Sequence, residues 1–391
     1  MKVLHVIPSV GPLRGGPSFV VREIARGLAA QGVHVEIAAT DDNGPARLRI
    51  AGQAATEDGY TIRYFPRQSR FYSVSLPLFR WLRKHAGDFD IVHIHALFSF
   101  PSTAAALCCL ARGVPYIVRP LGTLNEWGRA HRRPWLKRLS ILMLERRILN
   151  HAAAIQFTTE QERREAAAIA PRATPLIVPN PVPEPRESPP YGSFRAAHPE
   201  IGDRPLILFL SRLDEKKGLD LLLEAYAEVR KSNPASALVI AGDGPARFVR
   251  EIQRRAVSLG IEDRVIWTGF VSGQEKSALL RDADVFVLPS YSENFGVAVV
   301  EAMGAGLPVI VSDQVGIHHE VSRERAGTVV PCAAGRLASA ITSLLADPDL
   351  RARMGQHGRA LARQFAPAAV ATQILLSYAR ICNKLREPVA V

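Results

Sequence analysis

Two glutamates, Glu293 and Glu301, flank an apolar run with one glycine in the sequence SENFGVAVVE (292–301). If a helix begins near 294–296, Glu293 stands ahead of it and Glu301 lies in its second turn, about 12 Å away. That separation is too large for an acid and a base acting on one bond, but it matches the span from a sugar ring across a diphosphate to a ribose. The helix N-terminus between them would face the diphosphate, and each carboxylate would accept hydrogen bonds from hydroxyls. The alternative is a solvated helix face that Glu293 caps.

A pair of cations follows the strand-like run PLILFLSR (205–212), in the loop SRLDEKKGLD (211–220). Arg212 offers a planar fork of donors and Lys217 a point charge, and together they suit a diphosphate. Lys216 is an alternative for the role of Lys217. A charged, solvated loop remains the alternative to any ligand role.

Two glycine-containing turns follow other predicted strands. The loop GPLRGGPS (11–18) has Gly15 and Gly16 before a predicted helix start, where unpaired N–H groups favour a phosphate; the alternative is a tight turn. The run is not a GxGxxG fingerprint, which disfavours nicotinamide cofactors. The turn AGDGP (241–245) is predicted mainly to have a structural role. A second possible role is to let a base or ribose lie against its backbone. Its residues are Gly242, Asp243 and Gly244.

Short apolar runs alternate with amphipathic stretches along most of the chain, which predicts an α/β protein with doubly wound parallel sheets. A break at 179–205, with eight prolines and no sustained periodicity, predicts a linker. The predicted organisation is a Rossmann-like domain at 1–180, a Pro-rich linker at 181–204, a second Rossmann-like domain at 205–366 and a closing helix within 367–391, which either crosses back to the first domain or caps the second. Every motif above follows a predicted strand, where such sheets bind ligands.

The chain of 391 residues carries a net charge of +12, most of it in the first half. Positions 112–147 are rich in arginine and lysine, which predicts an anionic partner: a membrane surface, a phosphorylated acceptor or, least favoured, nucleic acid. A solvated helix face is the alternative. No apolar run reaches the roughly 18 residues of a membrane helix, and the start indicates a buried strand, not a secretory signal. Four cysteines without zinc-ligand spacing predict a cytoplasmic chain with reduced thiols.

Taken together, these motifs resemble the retaining glycosyltransferases of the GT-B fold, family four (glycosyl transferases group 1), over nearly the whole chain. The resemblance implies two Rossmann-like domains facing a central cleft, with the acceptor bound to the first and the donor mainly to the second. It implies that Glu301 holds the ribose, that Glu293 holds hydroxyls of the donor sugar, and that no metal or other cofactor is needed. Arg212 and Lys217 would stabilise the leaving diphosphate. The donor-binding residues implied are Gly15, Gly16, Arg212, Lys217, Gly242, Asp243, Gly244, Glu293, Asn294, Phe295, Gly296 and Glu301.

The same resemblance bears on His95, in IVHIHALF, which matches a histidine at the end of a first-domain strand near the reacting sugar. By itself it would be a satisfied core histidine, and His93 is expected on the other face of the strand. Asn180 matches an asparagine before the linker, with a structural role as the alternative. The sequence GIHHE (316–320) departs from the family pattern, so Gly316 and Glu320 are not assigned as ligands.

The resemblance predicts hexosyl transfer from a UDP- or GDP-sugar to a hydroxyl of a lipid-linked or saccharide acceptor, in surface polysaccharide synthesis. The catalytic residues it implies are His95, Arg212, Lys217 and Glu293. Alternatives are a sugar-nucleotide epimerase, a small-acceptor synthase, or an inactive sugar-nucleotide-binding regulator. The segment FYSVSLPLFRWLRKH (71–85) is interpreted as a surface that lies on the inner face of the cell membrane, or else as an ordinary helix packed on the sheet.

Overall fold

A computed structural model describes residues 1–50, 52–124, 140–169, 174–185 and 189–384. The chain forms two compact units. The first consists of Met1–Pro181 together with Pro367–Val391, and the second of Val182–Ala366.

The first unit is built on an eight-stranded sheet with the order β10-β9-β8-β7-β1-β2-β6-β5, plus the short hairpin β3–β4. All pairings in the large sheet are parallel except the antiparallel edge pair β5–β6. The strands are β1 (Lys2–Ser9), β2 (His34–Thr40), β3 (Asp42–Asn43), β4 (Ala46–Arg47), β5 (Ala54–Glu57), β6 (Tyr60–Phe65), β7 (Ile91–His95), β8 (Tyr116–Arg119), β9 (Ala154–Phe157) and β10 (Pro175–Ile177).

Helices cover both faces of this sheet because its strands carry apolar side chains alternately on each side. On β1, Val3 and Ile7 belong to one buried cluster, and Leu4 and Val6 to another. The helices that lie before the second unit are α1 (Gly16–Ala29), α2 (Leu76–His85), α3 (Phe100–Arg112), α4 (Arg146–His151) and α5 (Glu160–Ala166).

The second unit has a six-stranded, fully parallel sheet with the order β13-β12-β11-β14-β15-β16. Numbered within the unit, this is the order 3-2-1-4-5-6 of the dinucleotide-binding fold. Sheets of this kind are buried on both faces, which explains the continuous apolar runs LILFL and ALVIA in β11 and β12. The strands are β11 (Leu206–Leu210), β12 (Ala237–Ala241), β13 (Val265–Gly269), β14 (Val285–Leu288), β15 (Val309–Ser312) and β16 (Gly327–Val330).

The helices of the second unit lie on both sides of this sheet, and the switch point between β11 and β14 is where such folds bind nucleotides. They are α6 (Ser193–Ala197), α7 (Leu219–Ser232), α8 (Ala246–Ser258), α9 (Gly273–Asp282), α10 (Val297–Ala305), α11 (His318–Arg323), α12 (Ala334–Ala346) and α13 (Pro348–Ala362).

The segment predicted as a linker, 181–204, is docked on the second unit in its described part. Phe194 of α6 is 2% exposed and belongs to the core of that unit. The carboxylate of Asp282 accepts hydrogen bonds from the backbone N–H groups of Gly192 at 2.7 Å and Phe194 at 2.8 Å. A buried aromatic side chain and a paired carboxylate therefore hold this proline-rich stretch to the second unit without any hydrophobic periodicity.

The closing helix, α14 (Pro367–Lys384), belongs to the first unit and packs against α1. Gly27 of α1 permits the close approach, since a Cβ there would lie 2.8 Å from that of Ala371. Among the described residues, no single helix has the length and apolarity to cross a membrane. Two consecutive helical stretches, Pro348–Phe365 and Pro367–Asn383, together have the length and composition of a membrane span, but the chain bends by 43° between them.

Candidate active site

Three loops meet at the carboxyl edge of the second sheet, following β11, β12 and β14. The N–H of Leu213 donates to the Asp243 carbonyl at 2.8 Å, and the N–H of Tyr291 donates to the Lys216 carbonyl at 2.8 Å. These bonds join the loop after β11 to each of its two neighbours. The predicted cations and the predicted GDGP turn therefore lie at one edge, because neighbouring parallel strands end together.

The glycines of these loops are required by close backbone contact. Gly242 has φ +140°, and a Cβ there would overlap the Ser211 carbonyl oxygen. A Cβ at Gly244 would overlap the Leu213 carbonyl oxygen in the same way. The geometry supports the structural interpretation of the GDGP turn, and a direct contact of the turn with the donor stays a prediction.

Lys217 and Glu293 form an ion pair in which the Lys217 Nζ donates to a carboxylate oxygen of Glu293. Their side chains are 7% and 17% exposed. The Glu293 backbone is held on both sides: its N–H donates to the Gln314 carbonyl at 3.1 Å, and the Gly316 N–H donates to its carbonyl at 2.8 Å. The Lys217–Glu293 pair therefore has a fixed position at the strand edge.

The charge state of Glu293 follows from its neighbours. Burial disfavours the carboxylate, but the charge and hydrogen bond of Lys217, then Lys216 and the Phe295 backbone N–H, outweigh it and lower the pKa of Glu293. Glu293 is accordingly an ionised hydrogen-bond acceptor near neutral pH, as the hydroxyl-binding role requires.

The other two cations of the loop differ from Lys217. Arg212 is exposed. Burial lowers the pKa of Lys216, and the charges of Lys217 and Arg212 lower it further, so the three cations crowd one another. The carboxylates of Glu293 and Asp214 oppose this crowding, so the loop brings three cations together without a large net charge. Cations that repel one another favour an anionic ligand such as a diphosphate.

Helix α10 begins at Val297, one residue beyond the predicted window of 294–296, with Gly296 at φ +97° as its N-cap and no side-chain cap. Phe295 is 2% exposed and packs edge-on against Phe365, so the backbone at this position is what remains for a ligand. Glu301 lies in the second turn, as predicted, and its carboxylate accepts a hydrogen bond from Lys276 Nζ at 2.8 Å. Glu301 also borders a cavity of about 690 Å³ that α9, α10, α13 and the segment before α6 line, and that neither Lys217 nor Glu293 borders.

The glycine pair predicted to bind phosphate lies in the first unit. Gly15 has φ +71° and caps α1, and a Cβ at Gly15 or Gly16 would meet no atom within 4 Å. The preceding turn is attached to the β3–β4 hairpin, since Leu13 N–H donates to Asn43 Oδ1 at 3.0 Å and Arg14 Nε to Asp42 Oδ2 at 2.7 Å. The turn is open on its glycine side, and its role in donor binding stays a prediction.

His95 ends β7 and is 1% exposed, with its Nε2 at 2.8 Å from Nδ1 of His5. The expectation that His93 lies on the other face was wrong: the His93 and His95 rings stack with centroids 4.4 Å apart. Residues i and i+2 of a strand point to the same face, which is the physical reason. Nδ1 of His93 lies 2.7 Å from the hydroxyl of Tyr378, on α14.

His5, His93 and His95 bring nitrogen atoms within 4.8 Å of one another, a spacing that a metal ion could use. Their environment opposes a cation, however, because the fully buried Arg119 lies on the same side of the sheet. Burial, together with the smaller effect of the Arg119 charge, lowers the pKa of His5 to about 3. Arg119 donates to Oδ1 of Asn180, which gives that asparagine a structural partner.

Sequence reasoning missed Glu145, which is completely buried at the end of a π-helical turn. Its carboxylate accepts hydrogen bonds from the Tyr72 hydroxyl at 2.9 Å and the Phe98 N–H at 3.0 Å. Ala96 and Phe98, just after His95, have φ of 75° and 54°, and a positive φ is energetically unfavourable for any residue other than glycine. Glu145 therefore stabilises the strained loop after β7. Its signal was a lone acid in the apolar run ILMLERRIL.

The predicted basic cluster at 112–147 falls largely outside the described residues. Arg112, Arg119, Arg146 and Arg147 are described, whereas Glu126, Arg129, Arg132, Arg133, Lys137 and Arg138 are not. Of the two unassigned positions, Gly316 contacts the Glu293 backbone, and Glu320 has a buried Oε2 without a partner in the described part of the chain.

Two doubly wound parallel sheets and a cationic edge with two glutamates define the class of GT-B glycosyltransferases. The profile of the family described as "Glycosyl transferase 4-like domain" matches residues 15–181, and that of "Glycosyl transferases group 1" matches residues 192–361. The chain belongs to this glycosyltransferase family, and the predicted family and GT-B fold are confirmed.

Characterised relatives are mostly similar over part of their length. A GDP-mannose-dependent alpha-(1-6)-phosphatidylinositol monomannoside mannosyltransferase of Mycolicibacterium smegmatis is 35% identical over 55% of this chain and 58% of its own. A phosphatidyl-myo-inositol mannosyltransferase of Mycobacterium leprae is 28% identical over 98% of both chains. This chain spans about half the length of the first relatives it matches.

Solved structures share the fold. Sucrose-phosphate synthase from Thermosynechococcus elongatus has a TM-score of 0.76 and 24% identity, over 98% of this chain and 100% of that one. Anabaena HepE in complex with UDP and glucose has a TM-score of 0.76 and 19% identity, over 97% and 100%. At these identities the likeness concerns the fold alone.

Proposed function

We propose that the chain is a retaining, metal-independent glycosyltransferase that transfers a hexosyl group from a nucleotide-diphosphate donor to a hydroxyl group. The observation that carries the proposal is the largely buried Lys217–Glu293 pair beside the N-terminus of α10, with Glu301 in the second turn of that helix. A cation, an uncapped helix start and two flanking carboxylates correspond to the diphosphate, sugar and ribose of one donor.

In the proposed reaction the acceptor oxygen forms a bond to the anomeric carbon while the bond from that carbon to the phosphate oxygen breaks, on the same face. The acceptor proton passes to the departing phosphate. Negative charge develops on the diphosphate, so Lys217, Arg212 and the positive end of α10 would supply most of the rate enhancement. Glu293 and Glu301 would accept hydrogen bonds from hydroxyls of the sugar and the ribose.

The nucleoside of the donor is uridine or guanosine. A relative named for GDP-mannose and a structural neighbour named for UDP support testing both. We infer a lipid-linked or saccharide acceptor in surface polysaccharide synthesis, which the relatives named for phosphatidylinositol acceptors support.

The decisive experiment measures nucleotide release from a panel of UDP- and GDP-sugars in EDTA, for the wild type, Glu293→Gln and Arg212→Ala. Slow release from one donor, lost in both variants, is expected. Release that requires added metal would refute metal independence, and Arg212→Ala turnover within a few-fold of the wild type would refute its assignment. Formation of an epimer of the donor sugar would favour the epimerase alternative. Tight nucleotide binding without nucleotide release, even after acceptor extracts are added, would favour the inactive regulator.

We further propose a cytoplasmic location with peripheral binding to the inner face of the membrane through α2. Its outer side exposes Leu76 together with Arg80, Arg83 and Lys84, next to Phe71, which is 64% exposed. The protein is expected to float with anionic vesicles at low salt, and the bound fraction is expected to fall as the salt concentration rises. The charge reversals Arg80→Glu and Lys84→Glu should reduce it, with Arg254→Glu on α8 as the control. A chain that stays wholly in solution at low salt would contradict the proposal.

A further inference from the structure

A layer of polar side chains crosses the first sheet on the side that α14 covers. It consists of His5 on β1, His93 and His95 on β7, and Arg119 on β8. The register explains why they meet: His5 pairs with His93, and His95 with Arg119. All four are at most 1% exposed, so each polar atom needs a partner within the protein or a buried water.

The hydrogen bonds of this layer leave specific atoms without partners in the described part of the chain. Nδ1 of His5 lies 2.8 Å from Nε2 of His95, and Nδ1 of His93 lies 2.7 Å from the Tyr378 hydroxyl. Nε2 of His5, Nε2 of His93, and Nε and Nη1 of Arg119 have none. The guanidinium nitrogens only donate, whereas a neutral imidazole nitrogen without a proton accepts.

This complementarity sets the tautomer of His5. Burial, followed by the Arg119 charge, lowers the pKa of His5 to about 3, so its ring is neutral near pH 7 and carries one proton. Arg119 does not bond to Nε2 of His5 directly, so a buried water that accepts from the guanidinium and donates to Nε2 would place the ring proton on Nδ1. That Nδ1–H is then the donor in the bond to His95, and Nε2 of His95 is the acceptor.

We propose that His5 is a positioning residue: by donating its Nδ1–H to Nε2 of His95, it holds His95 as the Nδ1–H tautomer. The role of His95 in transfer rests on the proposed function; its tautomer does not. In this tautomer His95 presents an N–H donor and no free acceptor to a substrate. A contact of His95 with the sugar or acceptor would therefore be the donation of this N–H to a hydroxyl oxygen, and His95 would not remove a proton.

The tautomer is tested in the free protein, independently of turnover. Long-range proton–nitrogen NMR of histidine-labelled chain, with His95 assigned by His95→Gln, is expected to show a protonated Nδ1 and an unprotonated Nε2. In His5→Phe, which keeps a planar ring but removes the donor, the His95 signals should change to those of a tautomer mixture or of Nε2–H. A wild-type His95 with its proton on Nε2 would overturn the proposal, even if His5→Phe failed to fold.

Kinetics then test the consequence. His5→Phe is expected to lower kcat by about 10- to 100-fold, the size of effect seen when a group that orients a metal-bound histidine is removed. His5→Asn keeps an N–H near the Nδ1 position and should restore kcat to within a few-fold. Tyr378→Phe, which breaks the hydrogen bond from Tyr378 to His93 in the same layer, serves as the matched control and should keep both kcat and the His95 tautomer.

Two results distinguish a failure of the His5 positioning role from a failure of the proposed glycosyltransferase function. If His5→Phe changes the His95 tautomer but leaves kcat intact, His5 positions a histidine that the reaction does not use, and the positioning role in catalysis is wrong. If the wild type turns over no donor at all while the predicted tautomer is observed, the proposed function fails and the tautomer assignment stands.

Discussion

Lys217→Ala is expected to lower kcat for sugar transfer by about 10²- to 10³-fold. The magnitude is that of removing one preorganised donor aimed at charge that develops in the transition state. Lys217 is suited to this because its side chain is only 7% exposed and is held by Glu293. A cation fixed before the reaction does not have to be reoriented as the diphosphate departs. Single-turnover kinetics with the preferred donor measure the effect on chemistry directly.

Lys216→Ala is the matched control, because it removes the adjacent lysine, which was the alternative for the same role. It should cost less than about 10-fold, since within the described ranges of the chain Lys216 has no ion pair that fixes its direction. Breaking the Lys217–Glu293 pair also leaves a buried carboxylate unpaired, so Lys217→Ala should be destabilised as well. The free energy of unfolding of both variants must therefore be measured, and kinetics compared at a temperature where both are folded. A Lys216→Ala loss that equals or exceeds that of Lys217→Ala would reverse the assignment.

Local sequence signals predicted much of the second unit and its edge. The apolar runs of β11, β12, β14 and β15 are buried on both faces, so they stand out without any long-range information. Lys217 and Glu293 were found for a similar reason: in parallel sheets the strand ends meet, so charged residues just after strands converge.

Elements that depend on distant partners could not be predicted in this way. The edge strands β5, β10 and β16 give little local signal, because each has only three or four residues and pairs with a strand on one side only. The segment 181–204 reads as a linker because the acid that holds it, Asp282, comes about 90 residues later. Nothing near position 5 predicts that His5 contacts His95, since register across the sheet creates that contact.

Gly242→Ala is expected to destabilise the second unit by about 3 to 5 kcal/mol and to abolish measurable nucleotide binding. Two costs add. A residue other than glycine at a φ of +140° costs about 1 to 3 kcal/mol in backbone strain. The new Cβ would also overlap the carbonyl oxygen of Ser211, which is a backbone atom and cannot rotate away. Relief requires the loop after β11 to move, and that loop carries Arg212 and Lys217. Urea unfolding and nucleotide titration measure the two effects.

Gly260→Ala separates the two costs. Gly260 also has a positive φ, +65°, but a Cβ there meets no atom within 4 Å. It should therefore show only the left-handed conformational penalty of about 1 to 2 kcal/mol, with nucleotide affinity unchanged. If Gly242→Ala proved as stable as Gly260→Ala, the close contact between the GDGP turn and Ser211 would not be required for the fold. If instead it were unstable but still bound nucleotide with full affinity, the turn would matter for folding alone, and the position of the Arg212 loop would not depend on it.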